Sequence, residues 1–239
     1  MKLYDQVAFG RFIARPNRFI AQVETKDGVE ICHVKNTGRC RELLVPGARL
    51  TLAAGTGSGR KTRWDVVAVE KGPWYINMDS QAPNRAAREA LPRLFPGLKR
   101  VRPETAFGAS RLDFYLETEQ ERIFAEVKGV TLEQNGTALF PDAPTERGIR
   151  HLRELEKCVA AGYGAVLLLV IQMKGISLFR PNWETHPAFG EALLSAQAAG
   201  VRMMAFDCEV TRDSMTLCDP VPIVLEREKT NETPRDAGG

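Results

Sequence analysis

Along its first 80 residues the chain alternates apolar and polar positions in short runs; from about residue 81 it switches to longer runs, several with a helical period. Residues 19–25 and 29–35 alternate around Lys26-Asp-Gly28, which predicts a hairpin. Runs at 49–53, 64–69 and 74–77 read as further strands, separated by Pro46-Gly and by the glycine-rich basic loop 55–61. About five short strands in this length suit a small closed barrel of the OB type. Beyond it, 84–95 has helical composition and closes at Pro96-Gly97. Ile149, Leu152, Leu155 and Val159 recur at helical spacing and predict a helix over 146–161, with Thr145 or Asp142 as its cap. Residues 165–173 form an unbroken apolar run, as expected of a strand covered on both faces. A helix over 187–199 and a strand over 201–206 follow. The predicted architecture is α/β: a mixed sheet with helices over 81–229, an all-β OB-like barrel over 1–80, and a polar, disordered tail over 230–239.

Within that pattern, 111–117 and 122–130 form two strand-like runs split by Thr-Glu-Gln-Glu. With 118–121 as the loop, Glu117 faces Arg122, and counting outward sets Asp113 opposite Glu126. Partners in such a pair have Cβ atoms about 5 Å apart, and like charges there repel. Lys128 projects from the same face as Glu126, while Leu112, Phe114 and Leu116 alternate onto the apolar face with Ala125 and Val127. Two facing carboxylates and a lysine suit a hard divalent cation, Mg²⁺ or Mn²⁺, which takes a few carboxylate oxygens and keeps several waters. Asp, twelve residues, then Glu-x-Lys is also the core of the PD-(D/E)xK nuclease signature. Asp113, Glu126 and Lys128 are therefore the candidate catalytic residues, with Glu104 a further candidate ligand beside Asp113 and Glu126. A solvated strand of mixed charge is the plainer reading of the same residues. On the 146–161 helix, Arg147, His151 and Glu154 share one face, and its N-terminus would carry Glu146, Arg147 and His151 toward the carboxylates.

Composition narrows the setting. The five cysteines are scattered and never form a CxxC pair, which fits reduced thiols in a cytoplasm rather than a disulfide framework or a zinc knuckle. The first residues lack an apolar signal core, and no apolar run is long enough to span a membrane. Net charge is only +3, but residues 1–80 hold 13 Lys/Arg against 8 Asp/Glu and the remainder 20 against 22. Arg39, Arg41, Lys61 and Arg63 are the candidate contacts to a nucleic-acid backbone, with Arg11, Arg15 and Arg18 sharing that ambiguity. The glycine-rich loop lacks Walker A spacing.

Glu126-Val-Lys-Gly-Val-Thr-Leu, Leu139-Phe-Pro-Asp-Ala-Pro-Thr-Glu-Arg-Gly and His151-Leu-Arg-Glu-Leu together resemble the sugar fermentation stimulation protein family (SfsA-type). Asn36-Thr-Gly38, Arg111-x-Asp-Phe and Gly200-Val201 agree with it, and the resemblance runs over nearly the whole chain. It implies an OB-like N-terminal domain and a PD-(D/E)xK-like C-terminal domain in a cytoplasmic DNA-binding protein linked to sugar (maltose) utilisation. The nuclease-like core again falls on Asp113, Glu126 and Lys128. The family has also been read as carrying a helix-turn-helix, which Ala196-Gln-Ala-Ala-Gly200-Val201 mimics. The strand-like residues after it predict a helix-to-strand connection instead.

Three functions remain open on these grounds. The first is a DNA-binding protein with a divalent-metal phosphodiesterase site, RNA not being excluded as substrate. The second is a regulator of sugar metabolism that binds DNA on a silent nuclease fold. The third is a metal-binding protein acting on a small phosphorylated metabolite.

Overall fold

The computed structural model describes residues 1–36, 38–57 and 59–227; the expected tail 230–239 lies outside them. The chain opens with β1 (Val7–Asn17), β2 (Ile20–Thr25) and β3 (Gly28–Val34), an antiparallel meander that turns at Gly28 as the sequence predicts. β4 (Arg49–Ala54) pairs with β1 and with β5 (Trp64–Lys71), and the parallel rungs His33↔Asp65 and Val34↔Val66 join β3 to β5. Those rungs close a five-stranded mixed barrel, leaving β6 (Trp74–Asn77) as an extension on β5. Phe12, Val23, Val34, Leu50, Leu52 and Val66 fill its interior.

Within the barrel, β1 is the strand that the hydrophobic pattern does not predict. Gly10, Arg11 and Pro16 interrupt its alternation, and its register against β2 shifts twice. Such bulges move side chains to the other face and erase the period of two.

The second part is a six-stranded mixed sheet in the order β15-β14-β12-β9-β8-β7. Its elements follow α1 (Ala82–Leu94): β7 (Arg100–Phe107), β8 (Ser110–Glu117), β9 (Arg122–Val130), β10 (Leu132–Gln134), β11 (Thr137–Phe140), α2 (Glu146–Ala160), β12 (Gly164–Ile171), β13 (Leu178–Pro181), α3 (Pro187–Ala198), β14 (Arg202–Val210) and β15 (Met215–Pro220). β10, β11 and β13 form a separate small sheet. β9, β12 and β14 run parallel at the centre, and β12 is buried over almost its whole length, as its apolar run requires.

α1 covers one face of the large sheet. Its Ala86, Ala90 and Leu91 share a cluster with Phe114, Ala125 and Val127 of the hairpin and with Val166, Leu168 and Val170 of β12. α2 and α3 cover the other face, with Ile149, Leu152, Leu155 and Phe189 against Leu167, Leu169 and Ile171. Thr145, not Asp142, caps α2: its hydroxyl accepts from the Gly148 N–H at 3.0 Å. α3 runs into strand β14 through Gly200, so no recognition helix follows the helix-turn-helix-like string.

Barrel and sheet are joined by apolar and polar contacts. Ala53 and Val67, on the outer side of the barrel, pack in the same cluster as α1. Beside them Tyr4 donates to Asp79, Asn77 to Tyr4, and Gln172 at the end of β12 to Asn77. Lys35 pairs with the same Asp79 at 2.8 Å. Buried polar groups this fully partnered fix one relative placement of the two parts.

Candidate active site

The hairpin that carries the candidate residues has the predicted register. β8 and β9 pair through Glu117↔Arg122, Leu116↔Ile123, Tyr115↔Phe124 and Phe114↔Ala125, and the ladder stops there, one rung short of Asp113 and Glu126. Leu112, beyond the last rung, packs in the α2–α3 core rather than with Phe114 and Leu116, a departure from the simple alternation.

Where the ladder ends, side chains take over. One Asp113 oxygen accepts from the Val127 N–H at 2.8 Å and the other from the Asn84 side chain, in the first turn of α1, at 2.7 Å. Glu126 is 2% exposed. Its Oε1 accepts from Lys128 at 2.6 Å and meets His151 Nδ1, while its Oε2 is buried with no partner. Arg147 donates to His151 Nε2 at 3.4 Å. Lys128 Nζ also lies 3.3 Å from the same Nδ1, so that nitrogen sits between the ammonium and the Glu126 carboxylate.

The two carboxylates are shifted in opposite directions. Burial and then the charge of Glu126 raise the Asp113 carboxyl above its ordinary range, against the pull of Val127, Asn84 and Lys128. Burial also pushes Glu126 up, but His151 and Lys128 outweigh it and hold the group below its ordinary range.

Thus Asp113, Glu126, Lys128, His151 and Arg147 converge, from one hairpin and one helix. Glu104 and Glu146 do not join them. Glu104 lies between the rungs Pro103↔Phe114 and Thr105↔Leu112, and its exposed carboxylate is held by Arg111 at 2.8 Å. Glu146 is exposed and faces His186 at 3.5 Å. Sequence reasoning does not single out Asn84 or Gln172, because an amide in a helix or after a strand carries no local signal. Gly129 is needed for close approach: a Cβ there would meet Gln172 at 2.5 Å and Pro83 at 2.6 Å.

The donor set fits a hard cation. Among the described residues no three His, Cys, Asp or Glu side chains gather as a metal cluster. Two carboxylates, one with an orphaned buried oxygen, suit an ion that takes its other ligands from backbone carbonyl, water and substrate.

Of the candidate basic residues, Arg39 and Arg41 line a cavity with Arg15 and Arg18 next to the cleft between barrel and sheet. Arg63 stacks on Trp64 at 4.9 Å and lines a different cavity, with Lys26 and Phe9. Lys61 is exposed.

An OB barrel joined to a six-stranded mixed sheet with helices on both faces defines the class of this chain. The profile described as the SfsA N-terminal OB domain matches residues 13–78, and that of the sugar fermentation stimulation protein RE domain matches 81–214. The chain belongs to the sugar fermentation stimulation protein family. It is 54% identical over 223 residues to the sugar fermentation stimulation protein homolog of Desulfitobacterium hafniense, covering 93% of this chain and 98% of that one. The homolog of Clostridium beijerinckii is 48% identical over 224 residues, with 93% and 99% covered. Among solved structures, Pyrococcus furiosus SfsA in complex with Ca²⁺ superposes with a TM-score of 0.83 at 28% identity, over 94% of this chain and 99% of that one. Among the described residues no helix is long and apolar enough to cross a membrane.

Proposed function

We propose that this protein is a divalent-metal-dependent phosphodiesterase acting on DNA, with Asp113, Glu126 and Lys128 as its catalytic residues. The observation that carries the reading is the buried Glu126 oxygen without a partner, beside a second, half-buried carboxylate whose ionisation Glu126 opposes. An arrangement this costly in the free protein is what a bound dication relieves. The Ca²⁺ of the Pyrococcus furiosus relative supports a divalent ion here, Mg²⁺ or Mn²⁺ being the working choice.

Asp113 and Glu126 would hold the ion, with the Val127 carbonyl as a third protein ligand. When bound, it lowers the pKa of a water and stabilises charge on a phosphoryl oxygen. Lys128 keeps a positive charge at the Glu126 carboxylate, where it orients the attacking water or neutralises the phosphate. Asn84 and the Val127 N–H fix the Asp113 carboxylate, and His151 fixes that of Glu126. The barrel's basic surface supplies contacts to the nucleic-acid backbone.

The test is incubation of labelled single- and double-stranded DNA and RNA with the protein in Mg²⁺, Mn²⁺ or EDTA. Metal-dependent cleavage of DNA is expected. Salt-sensitive DNA binding with no cleavage in any metal would replace the reading with that of a DNA-binding regulator on a silent nuclease fold. Cleavage of RNA alone would change the substrate.

A further inference from the structure

We propose that Arg15, Arg18, Arg39 and Arg41, with the ring of Phe19, form a single-strand binding platform that leads the substrate into the Asp113–Glu126 site. This rests on the phosphodiesterase reading for its direction, but the platform itself can be tested without cleavage.

Charge is the first ground. The four arginines surround a cavity of about 430 Å³ at the edge of the barrel, and none of them forms an ion pair among the described residues. Arg15 instead donates to the carbonyls of Arg39, Arg18 and Asn36 at 2.6, 2.6 and 3.0 Å. It therefore ties the segments bearing the other arginines together and leaves its own charge uncompensated. The Asp142 carboxylate beside them is taken up by the backbone N–H of Arg39 at 3.2 Å rather than by a guanidinium. Guanidinium groups without an ion-pair partner suit an anion with several acceptor oxygens, of which a phosphodiester is one.

The second ground is Phe19. Arg18 lies over its ring at 4.6 Å, and the residue is still 43% exposed. An exposed aromatic ring beside unpaired arginines offers a base a stacking surface while its phosphate meets the cations. A duplex hides its base faces, so this combination selects a single strand.

The third ground is continuity. Gly38 lines the arginine cavity and also a second one, of about 350 Å³, between barrel and sheet. The wall of that second cavity includes Gly129 and Pro83, the chain neighbours of Lys128 and of the Asn84 that holds Asp113, so it ends at the backbone that carries the site. Asp142 and Gln172 also line it, so its walls favour base and sugar over phosphate, which is left to the arginine side. Gly38 is tightly enclosed: a Cβ there would meet Asp142 at 2.7 Å and Asn36 at 2.8 Å.

Fluorescence anisotropy of a labelled oligothymidylate in EDTA tests the platform, with an unlabelled blunt duplex as competitor. Arg39 and Arg41 are exposed, so the Arg39→Gln/Arg41→Gln double variant keeps the fold. It is expected to bind at least tenfold more weakly and to flatten the salt dependence by about 1.4 in log–log slope, roughly 0.7 for each arginine–phosphate pair removed on a single strand. Phe19→Ala is expected to weaken binding about tenfold with the salt slope unchanged, the mark of missing base stacking. No binding by the wild type, unchanged affinity in both variants, or competition by duplex as strong as by single strand would overturn the proposal. Binding as described with no cleavage in Mn²⁺ would leave the platform standing and sink the phosphodiesterase reading. Cleavage with both variants behaving as wild type would do the reverse.

Discussion

The backbone N–H of Val127 donates to the carboxylate of Asp113 at 2.8 Å, at the point where the β8–β9 ladder stops. A side chain thus partners a strand N–H, and the hairpin opens where its two acidic residues meet. Asp113→Ala removes the acceptor of that N–H and of the Asn84 amide. The expected loss is about 1–3 kcal/mol for the stranded donor, reduced by relief of the repulsion from Glu126. Urea unfolding in EDTA reads it; stabilisation by the substitution would show that repulsion dominates.

Acid should weaken the response to metal. Asp113 has a raised folded pKa, so its contribution to the stability of the metal-free protein is fully present below the ordinary 3.8 and is lost as pH rises through the folded value. Glu126, with a lowered value, contributes above its ordinary 4.5 and loses that contribution as pH falls through its folded value. A dication needs both ionised, so the rise in Tm produced by Mn²⁺ should vanish in acid and grow as pH climbs past the Asp113 transition. Thermal scans with Mn²⁺ and with EDTA across the acid range check it, and a pH-independent rise would count against the pair as ligands.

His151 holds Glu126 from α2. Replacing it with alanine should weaken divalent-cation binding by roughly 10- to 100-fold, the usual cost of losing a group that orients a ligand. Calorimetric titration with Mn²⁺ measures the loss. An unchanged affinity would reduce His151 to a packing role.

Thr145→Ala removes the α2 cap and should cost about 1 kcal/mol of stability. Chemical denaturation is the check. Because α2 carries His151, the same substitution should also lower Mn²⁺ affinity modestly.

Much of this was legible in the sequence because it depends on local period. The β8–β9 register followed from counting outward from a four-residue loop, and the α2 stripe from helical spacing. His151 could be placed near Glu126 because both faces were set by those periods. Other features depend on tertiary packing. β7 is an edge strand of mostly exposed residues with Pro103 inside it, so little hydrophobic signal marks it. Asn84 reaches Asp113 only because α1 crosses the sheet at that point. The union of Arg15 and Arg18 with Arg39 and Arg41 likewise arises from barrel closure, which brings distant loops to one edge.

The most direct measurement is cleavage of a labelled DNA strand in Mn²⁺ by the wild type, by Asp113→Ala and by Lys128→Ala. The wild type should cut and EDTA should stop it. Asp113→Ala should be inactive although folded, and Lys128→Ala should lose about 10²–10³-fold in rate, as when one charge-stabilising donor is removed. Equal cleavage by wild type and folded Asp113→Ala would contradict the account.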